Sequence, residues 1–196
     1  MSKELSAQLT ATDSTAAAPA WVSSTGIVLA ASALVAICAH IAIPLYFTPV
    51  PLSMAPFAVL LLGLLLSPRM AAATLGAYLI EGAMGLPVFA PGPLMGVAHL
   101  LGPTGGYLIA YPAAAALISY LWRRSGRSFT AALASAAAGN LAILLCGALW
   151  LAALTHASAQ AVFSLAVLPF LAGDGLKIAA AAGLAIGFQR LRRIGQ

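Results

Sequence analysis

Three ionisable side chains interrupt the apolar segments of this 196-residue sequence: Glu81, Asp174 and Lys177. Each costs at least about 2.5 kcal/mol at the centre of a membrane helix, so such groups normally face the protein interior or a wet cavity. Asp174 and Lys177 are three residues apart and therefore share one face of a helix. Together with Asn140 on another apolar segment, they offer a carboxylate, an ammonium and an amide to a polar ligand. We predict that these four residues belong to a substrate-binding pocket.

The same groups also have purely structural interpretations. Asp174 and Lys177 can simply neutralise each other, and Asp174, which lies between two glycines, can cap the start of a helix. Asn140 can bridge two helices, a contact worth about 0.6 kcal/mol on average. We favour a shared pocket because the charged groups lie at similar depths beneath one long loop.

A second candidate is the segment GPTGGY, residues 102–107. The free amides of a helix N-terminus can bind a carboxylate or carbonyl oxygen, which makes Gly105 and Gly106 candidate ligand contacts. The alternative is that these glycines only permit close helix packing. The chain contains no P-loop, since no GK[ST] follows a glycine and four residues. We therefore predict that this chain alone does not hydrolyse ATP.

Three aromatic residues, Phe89, Tyr107 and Trp150, are predicted near the same end of the helices. Interfacial aromatic belts explain such positions, and so does the wall of a pocket. We include all three in the predicted site. No nucleophile–base pair and no cluster of metal ligands is evident in the sequence, so we predict no enzyme, no catalytic residue and no metal site.

The composition decides which class of protein positions these residues. The chain is 62% hydrophobic and 7% charged, whereas about a quarter of the residues of a soluble domain are charged. Only a polytopic α-helical membrane protein fits these values. We predict one all-α membrane domain over residues 23–196, preceded by a mobile N-terminal tail over residues 1–22.

Prolines, glycines and short polar stretches divide the apolar sequence into six predicted transmembrane helices. The sixth begins between Pro169 and Gly175 and runs to the basic C-terminal segment. The first five are predicted at residues 24–43, 53–66, 70–86, 104–122 and 129–154.

The basic residues indicate how this bundle crosses the membrane. Eight of the nine fall on one side: Lys3, Arg69, Arg123, Arg124, Arg127, Arg190, Arg192 and Arg193. Because positive residues favour the cytoplasm, both termini are predicted inside. The net charge of +5 then reflects topology, and we predict no nucleic-acid binding.

The longest interruption, from Glu81 to Tyr107, holds four prolines and seven glycines. It is too broken for a membrane helix and too apolar for a disordered segment. On the predicted topology it lies on the outer face, above the buried polar residues. We interpret it as a lid that closes over an apolar ligand.

Four motifs resemble one known family. GLPVFA (85–90), LLGPTGGYL (100–108), LPFLAGDGLK (168–177) and TPVPLSMAPFAVLLLGLLLSPR (48–69) are similar to the BioY family. BioY proteins are the biotin-binding S components of energy-coupling factor (ECF) transporters. The resemblance implies a six-helix fold in a bacterial cytoplasmic membrane, with an outward-facing vitamin pocket.

The resemblance also implies roles and partners. Asp174, Lys177 and Asn140 match positions expected to hold the polar groups of biotin, and Phe89 with the glycine-rich loop matches the lid. The implied partners are a transmembrane coupling protein and a pair of cytoplasmic ATPases. ATP would act only through those partners, and no cofactor is implied for this chain.

One alternative remains open from the residues themselves. A self-sufficient, ion-coupled carrier could use Glu81 or Asp174 as its proton site. Such a carrier predicts uptake that follows a proton gradient and needs no ATPase.

Overall fold

The computed structural model describes residues 20–194, with side chains from residue 24 to residue 192. The chain is mostly helical, with one short antiparallel strand pair. The elements are α1 (Ala20–His40), β1 (Ala42–Ile43), β2 (Leu52–Ser53), α2 (Ala55–Leu65), α3 (Pro68–Ala83), α4 (Val97–Leu101), α5 (Gly105–Arg124), α6 (Phe129–Thr155), α7 (Ala159–Ala166) and α8 (Leu171–Ile194).

The six long helices, α1, α2, α3, α5, α6 and α8, coincide with the six predicted segments, and the predicted boundaries lie within four residues of the observed ones. Among the described helices, α6 and α8 are long and apolar enough to cross a membrane, whereas α2 and the part of α1 over Ser24–His40 are apolar but shorter. The all-α class is therefore confirmed, and the number of spans stays a prediction. The predicted tail lies outside the described residues, except for residues 20–22 at the start of α1.

The start of α8 corrects one interpretation of Asp174. The helix begins at Leu171, and the backbone N–H of Asp174 donates to the Phe170 carbonyl at 2.8 Å. Asp174 is therefore inside the first turn, where a carboxylate interacts favourably with the helix dipole. The proposal that Asp174 is an N-cap is wrong, and its side chain is available for contacts with α6.

Two short helices lie in segments where we predicted no helix. α4 follows Gly96, whose φ of 60° suits glycine, and it lies inside the long loop between α3 and α5. α7 begins after Ser158, whose hydroxyl accepts from the Ala161 backbone N–H at 3.3 Å. Both are one or two turns long, so they leave a weak periodic signal in the sequence.

The segments at this end of the bundle are linked to one another. β1 and β2 pair Ala42 with Ser53 and Ile43 with Leu52, which closes the loop over residues 44–51. The Thr48 hydroxyl in that loop donates to the Leu165 carbonyl of α7 at 2.8 Å. The first loop is thereby fixed to α7.

Close contact between α5 and α6 sets the position of Tyr107. A Cβ added at Gly106 would overlap Trp150, and one added at Gly147 would overlap the Tyr107 ring. The two helices can approach this closely because glycine has no side chain. The Tyr107 ring packs directly over Gly147.

Large apolar side chains also cover the outside of the bundle. Ile37, Leu149 and Leu176 are 64%, 70% and 75% exposed. Apolar surface on this scale is unusual in contact with water and is normal in contact with lipid.

Candidate functional site

A cavity opens among the helices beneath the linked loops. Its walls come from α1, α2, α3, α5, α6 and α8, and its upper side comes from the loops before β2 and α5. It is lined by Ala39, Val50, Pro51, Ser53, Ala55, Pro56, Tyr78, Ala90, His99, Thr104, Tyr107, Leu108, Tyr111, Asn140, Ile143, Leu144, Phe170, Asp174 and Lys177. A mostly apolar lining with a few convergent polar groups is typical of a small-molecule site.

The polar centre of this cavity is a buried cluster of three side chains. The Asp174 carboxylate accepts from Lys177 Nζ at 3.1 Å and from Asn140 Nδ2 at 2.9 Å. Only 4%, 7% and 5% of Asp174, Lys177 and Asn140 are exposed. The two residues of α8 are one helical turn apart, and Asn140 approaches from α6. Three of the four residues predicted to share a pocket, Asn140, Asp174 and Lys177, therefore form one cluster at the cavity wall.

This cluster retains hydrogen-bonding capacity toward the cavity. Asn140 Oδ1 is buried without a partner among the described residues. An ammonium can donate three hydrogen bonds, and Lys177 uses one of them on Asp174. A buried acceptor without a partner costs about 1–3 kcal/mol, so a ligand that donates to Asn140 would recover that free energy.

Tyr78 also lines the cavity, although it was not among the residues predicted from the sequence. It is fully buried, and its hydroxyl has no partner within the described part of the chain. Its ring packs edge-on against Phe89 at 5.3 Å and stacks on Tyr111 at 6.5 Å between centroids. The aromatic contacts fix the ring, and the hydroxyl remains available to a ligand. A tyrosine in the middle of an apolar helix was the available signal, because its hydroxyl needs a partner.

Five further polar or aromatic residues of the lining were also missed: Ser53, His99, Thr104, Tyr111 and Phe170. His99 is 8% exposed, its Nδ1 lies 3.1 Å from the Leu94 carbonyl, and its ring centroid is 5.0 Å from that of Phe89. The five residues come from β2, α4, α5 and the segments just before α5 and α8, which only the folded chain brings together. Tyr111 follows the predicted site residue Tyr107 by one helical turn, which could have indicated it, whereas the spacing of the others gave no signal.

Two predicted site residues lie behind the cavity wall. Glu81 is half-buried, accepts a hydrogen bond from the Ser32 hydroxyl of α1, and is not among the residues that line the cavity. Phe89 is buried against Gly82 and supports the ring of Tyr78. Their direct contact with a ligand stays a prediction, and the observed contacts give both a supporting position.

Gly105, Gly106 and Trp150 lie where the start of α5 packs against α6 and α4. The indole N–H of Trp150 donates to the Gly102 carbonyl at 2.9 Å, and an added Cβ at Gly105 would overlap the Leu100 carbonyl. These contacts favour the packing interpretation of GPTGGY. Tyr107 belongs to the cavity lining, where its hydroxyl donates to the Ala166 carbonyl at 2.7 Å.

No group of three or more His, Cys, Asp or Glu residues that could hold a metal ion occurs among the residues that the structure describes. The polar contacts observed in the cavity wall are hydrogen bonds and the ion pair between Asp174 and Lys177.

Comparison with known proteins gives consistent matches. The sequence model of the BioY family matches residues 8–194. The "Probable biotin transporter BioY" of Pyrococcus horikoshii is 44% identical over 133 residues, which are 68% of this chain and 76% of that protein. The "Biotin transporter BioY" of Thermotoga maritima is 36% identical over 160 residues, 82% of this chain and 92% of its own length.

A solved structure is similar as well. The crystal structure of the S-component for biotin from an ECF-type ABC transporter superposes with a TM-score of 0.78 at 26% sequence identity. The match covers 88% of this chain and 92% of that chain.

Proposed function

This chain belongs to the BioY family, and from that membership we propose that it binds biotin in the Asp174 cavity and serves biotin uptake. The matched relatives are named as transporters, in agreement with the prediction of a transport protein rather than an enzyme. The observation that carries the proposal is the buried Asn140–Asp174–Lys177 cluster at the wall of an apolar cavity.

The chemistry of biotin complements this cavity. Biotin combines an apolar ring and chain with a ureido group that has two N–H donors and one carbonyl acceptor. The Asp174 carboxylate can only accept, so it suits a ureido N–H, and the Lys177 ammonium can only donate, so it suits the carbonyl oxygen. Asn140 Oδ1 is a second acceptor for a ureido N–H. In this arrangement the acceptors on Asp174 and Asn140 each face a ureido N–H, and the Lys177 donor faces the ureido carbonyl.

The carboxylate of biotin and the carboxylate of Asp174 carry the same charge and repel each other, so we expect the two to lie apart. Three other polar side chains of the lining are Ser53 on β2, His99 on α4 and Thr104 just before α5. The hydroxyls of Ser53 and Thr104 can donate a hydrogen bond to a carboxylate, and Nε2 of His99 can do so when the ring carries both protons, because its Nδ1 faces the Leu94 carbonyl. We place the carboxylate among them, below the first loop and the long loop.

The membrane arrangement belongs to the same proposal. The exposed apolar surface and the location of the arginines at the ends of α5 and α8 support six spans with both termini in the cytoplasm of a bacterial cell. On this topology the cavity faces outward, and the Glu81–Tyr107 segment forms the lid. The proposed partners are the ECF coupling protein and a pair of cytoplasmic ATPases, because the chain has no motif for ATP hydrolysis.

Removal of the Tyr78 hydroxyl should weaken biotin binding without lowering the stability of the protein. Tyr78→Phe deletes a buried hydroxyl that has no described partner, so the free energy of unfolding should stay equal or rise. If that hydroxyl bonds biotin, the affinity should fall by up to about tenfold. Titration calorimetry and thermal unfolding in one detergent measure both quantities.

Two matched variants make this result specific. Thr74→Val also removes a buried hydroxyl without a described partner, but Thr74 does not line the cavity, so biotin affinity should not change. Tyr107→Phe removes a hydroxyl bonded to the Ala166 carbonyl and should lower stability instead. Unchanged biotin affinity in Tyr78→Phe would remove the hydroxyl from the proposed contacts.

Uptake by cells tests the proposed function directly. The full chain, purified from membranes, should retain biotin, and labelled biotin should enter cells only when the coupling protein and both ATPases are also expressed. The control cells express the same chain and the same partners, but with ATPases that cannot hydrolyse ATP. Uptake that persists there and follows a proton gradient would favour the ion-coupled carrier, and absence of bound biotin would contradict the proposal.

A further inference from the structure

A second pocket lies at the other end of the bundle, about 20 Å along α8 from Asp174. It is lined by the ends of three helices and by the turn between α5 and α6. The lining residues are Leu64, Leu65, Trp122, Arg123, Arg127, Ala185, Phe188, Gln189 and Arg192. It shares no residue with the biotin cavity.

Three arginines from three different segments line this pocket: Arg123, Arg127 and Arg192. No carboxylate is among the lining residues, and the ion pair between Asp174 and Lys177 is the only one among the described residues. Like charges that share a pocket repel one another, so the arrangement favours an anion between them.

The backbone of the turn directs one of these arginines to the pocket. Gly126 and Arg127 have φ values of 59° and 54°, the left-handed conformation. This conformation is disfavoured for a residue with a Cβ, and His156 is the other non-glycine example in the described chain. Such backbone is retained mainly where the surrounding structure needs it. Here it brings Arg127 beside the ends of α5 and α8.

The floor of the pocket is apolar. Leu64, Trp122 and Ala185 are 4%, 2% and 1% exposed. On α8, the guanidinium of Arg192 lies 5.0 Å above the Phe188 ring, which leaves its N–H edge available. Phe188 and Leu191 beside it are 47% and 69% exposed. The site therefore combines guanidinium groups suited to phosphate with neighbouring apolar surface.

We propose that this pocket binds the phosphodiester headgroup of an anionic membrane lipid, with acyl chains along the exposed apolar face of α8. The inference uses the proposed membrane topology, which places this end at the anionic cytoplasmic leaflet. A general preference for positive charge on that side accounts for Arg69, Arg124 and Arg190, which lie outside the pocket. It does not account for the convergence of Arg127 and Arg192 on one apolar-floored pocket.

The test compares two triple variants of the full chain with equal loss of charge. One replaces Arg123, Arg127 and Arg192 with glutamine, and the other replaces Arg69, Arg124 and Arg190. Native mass spectrometry measures the binding of dioleoyl phosphatidylglycerol and of the zwitterionic dioleoyl phosphatidylcholine. We expect the pocket variant to bind phosphatidylglycerol about a hundredfold more weakly, at roughly fivefold per arginine, and the other variant to resemble wild type.

Arg127→Gly is the control that distinguishes a lost lipid contact from a loss of folding as the reason for weaker lipid binding. Glycine adopts the left-handed conformation freely, so this variant should be at least as stable as wild type in thermal unfolding. It should still bind phosphatidylglycerol about fivefold more weakly. Biotin retention should not change in any of these variants.

Other results would overturn the lipid assignment. An equal decrease in both triple variants would indicate diffuse surface charge. Full displacement of the lipid by excess inorganic phosphate would indicate a site for free phosphate. Unchanged lipid binding in the pocket variant, with loss of copurifying ATPase subunits, would indicate a protein interface.

Discussion

Asp174→Asn is expected to weaken biotin binding by at least about a hundredfold. The carboxylate is 4% exposed and organises the cluster by accepting from both Lys177 and Asn140. An amide of the same size removes the charge and presents an N–H group where the proposed ureido N–H must donate. One charge-assisted hydrogen bond is lost and one donor is left without an acceptor, and these effects add.

The measurement should separate this contact from a general loss of structure. Titration calorimetry would compare biotin with a carboxylic acid that has the same side chain but no ureido group. Wild type should prefer biotin by orders of magnitude, and Asp174→Asn should lose most of that preference. A preference equal to that of wild type would remove Asp174 from the ureido contact, whatever the stability of the variant.

Lys177→Met is expected to lower the free energy of unfolding by about 3–5 kcal/mol. Methionine is close to lysine in length and flexibility, so packing changes little. The loss comes from Asp174, whose buried carboxylate would keep Asn140 as its described partner without a counter-charge. Thermal unfolding in a single detergent, followed by tryptophan fluorescence, would detect the change.

The double variant Asp174→Asn, Lys177→Met provides the matched control. It removes both charges together, so most of the stability should return, because replacing a whole buried ion pair is often neutral. Biotin affinity should not return, since both proposed ureido partners are absent. If Lys177→Met alone were as stable as wild type, the prediction would be wrong, and the Asp174 carboxylate would have to be solvated by water in the folded protein.

These two expected results describe a site organised before the ligand arrives. The ion pair lets two charged groups lie in an apolar bundle, and the Asn140 amide holds the carboxylate in place. Among the described residues, the Oδ1 acceptor of Asn140 and the hydroxyl of Tyr78 have no partner. A ligand that satisfies them gains binding free energy without any rearrangement of the cluster.

Local chemistry made several features predictable from the sequence. The near absence of charge from long apolar segments indicated an all-α membrane class, and proline and glycine located the helix ends. The three-residue spacing of Asp174 and Lys177 placed both on one face of a helix, because the α-helix has 3.6 residues per turn. The motifs at residues 85–90, 100–108 and 168–177 indicated the BioY family, which the match over residues 8–194 confirms.

The folded chain alone decided which face of each helix meets the cavity. Tyr78 and Glu81 are three residues apart on α3, yet Tyr78 lines the cavity and Glu81 bonds to Ser32 of α1. Trp150 turns to the Gly102 carbonyl, and Arg127 reaches its pocket through a left-handed turn. A helix that is apolar on every side carries no pattern that marks its inner face. That choice depends on the neighbouring helices, and their close approach at glycines such as Gly106 and Gly147 becomes known only when the helices are packed together.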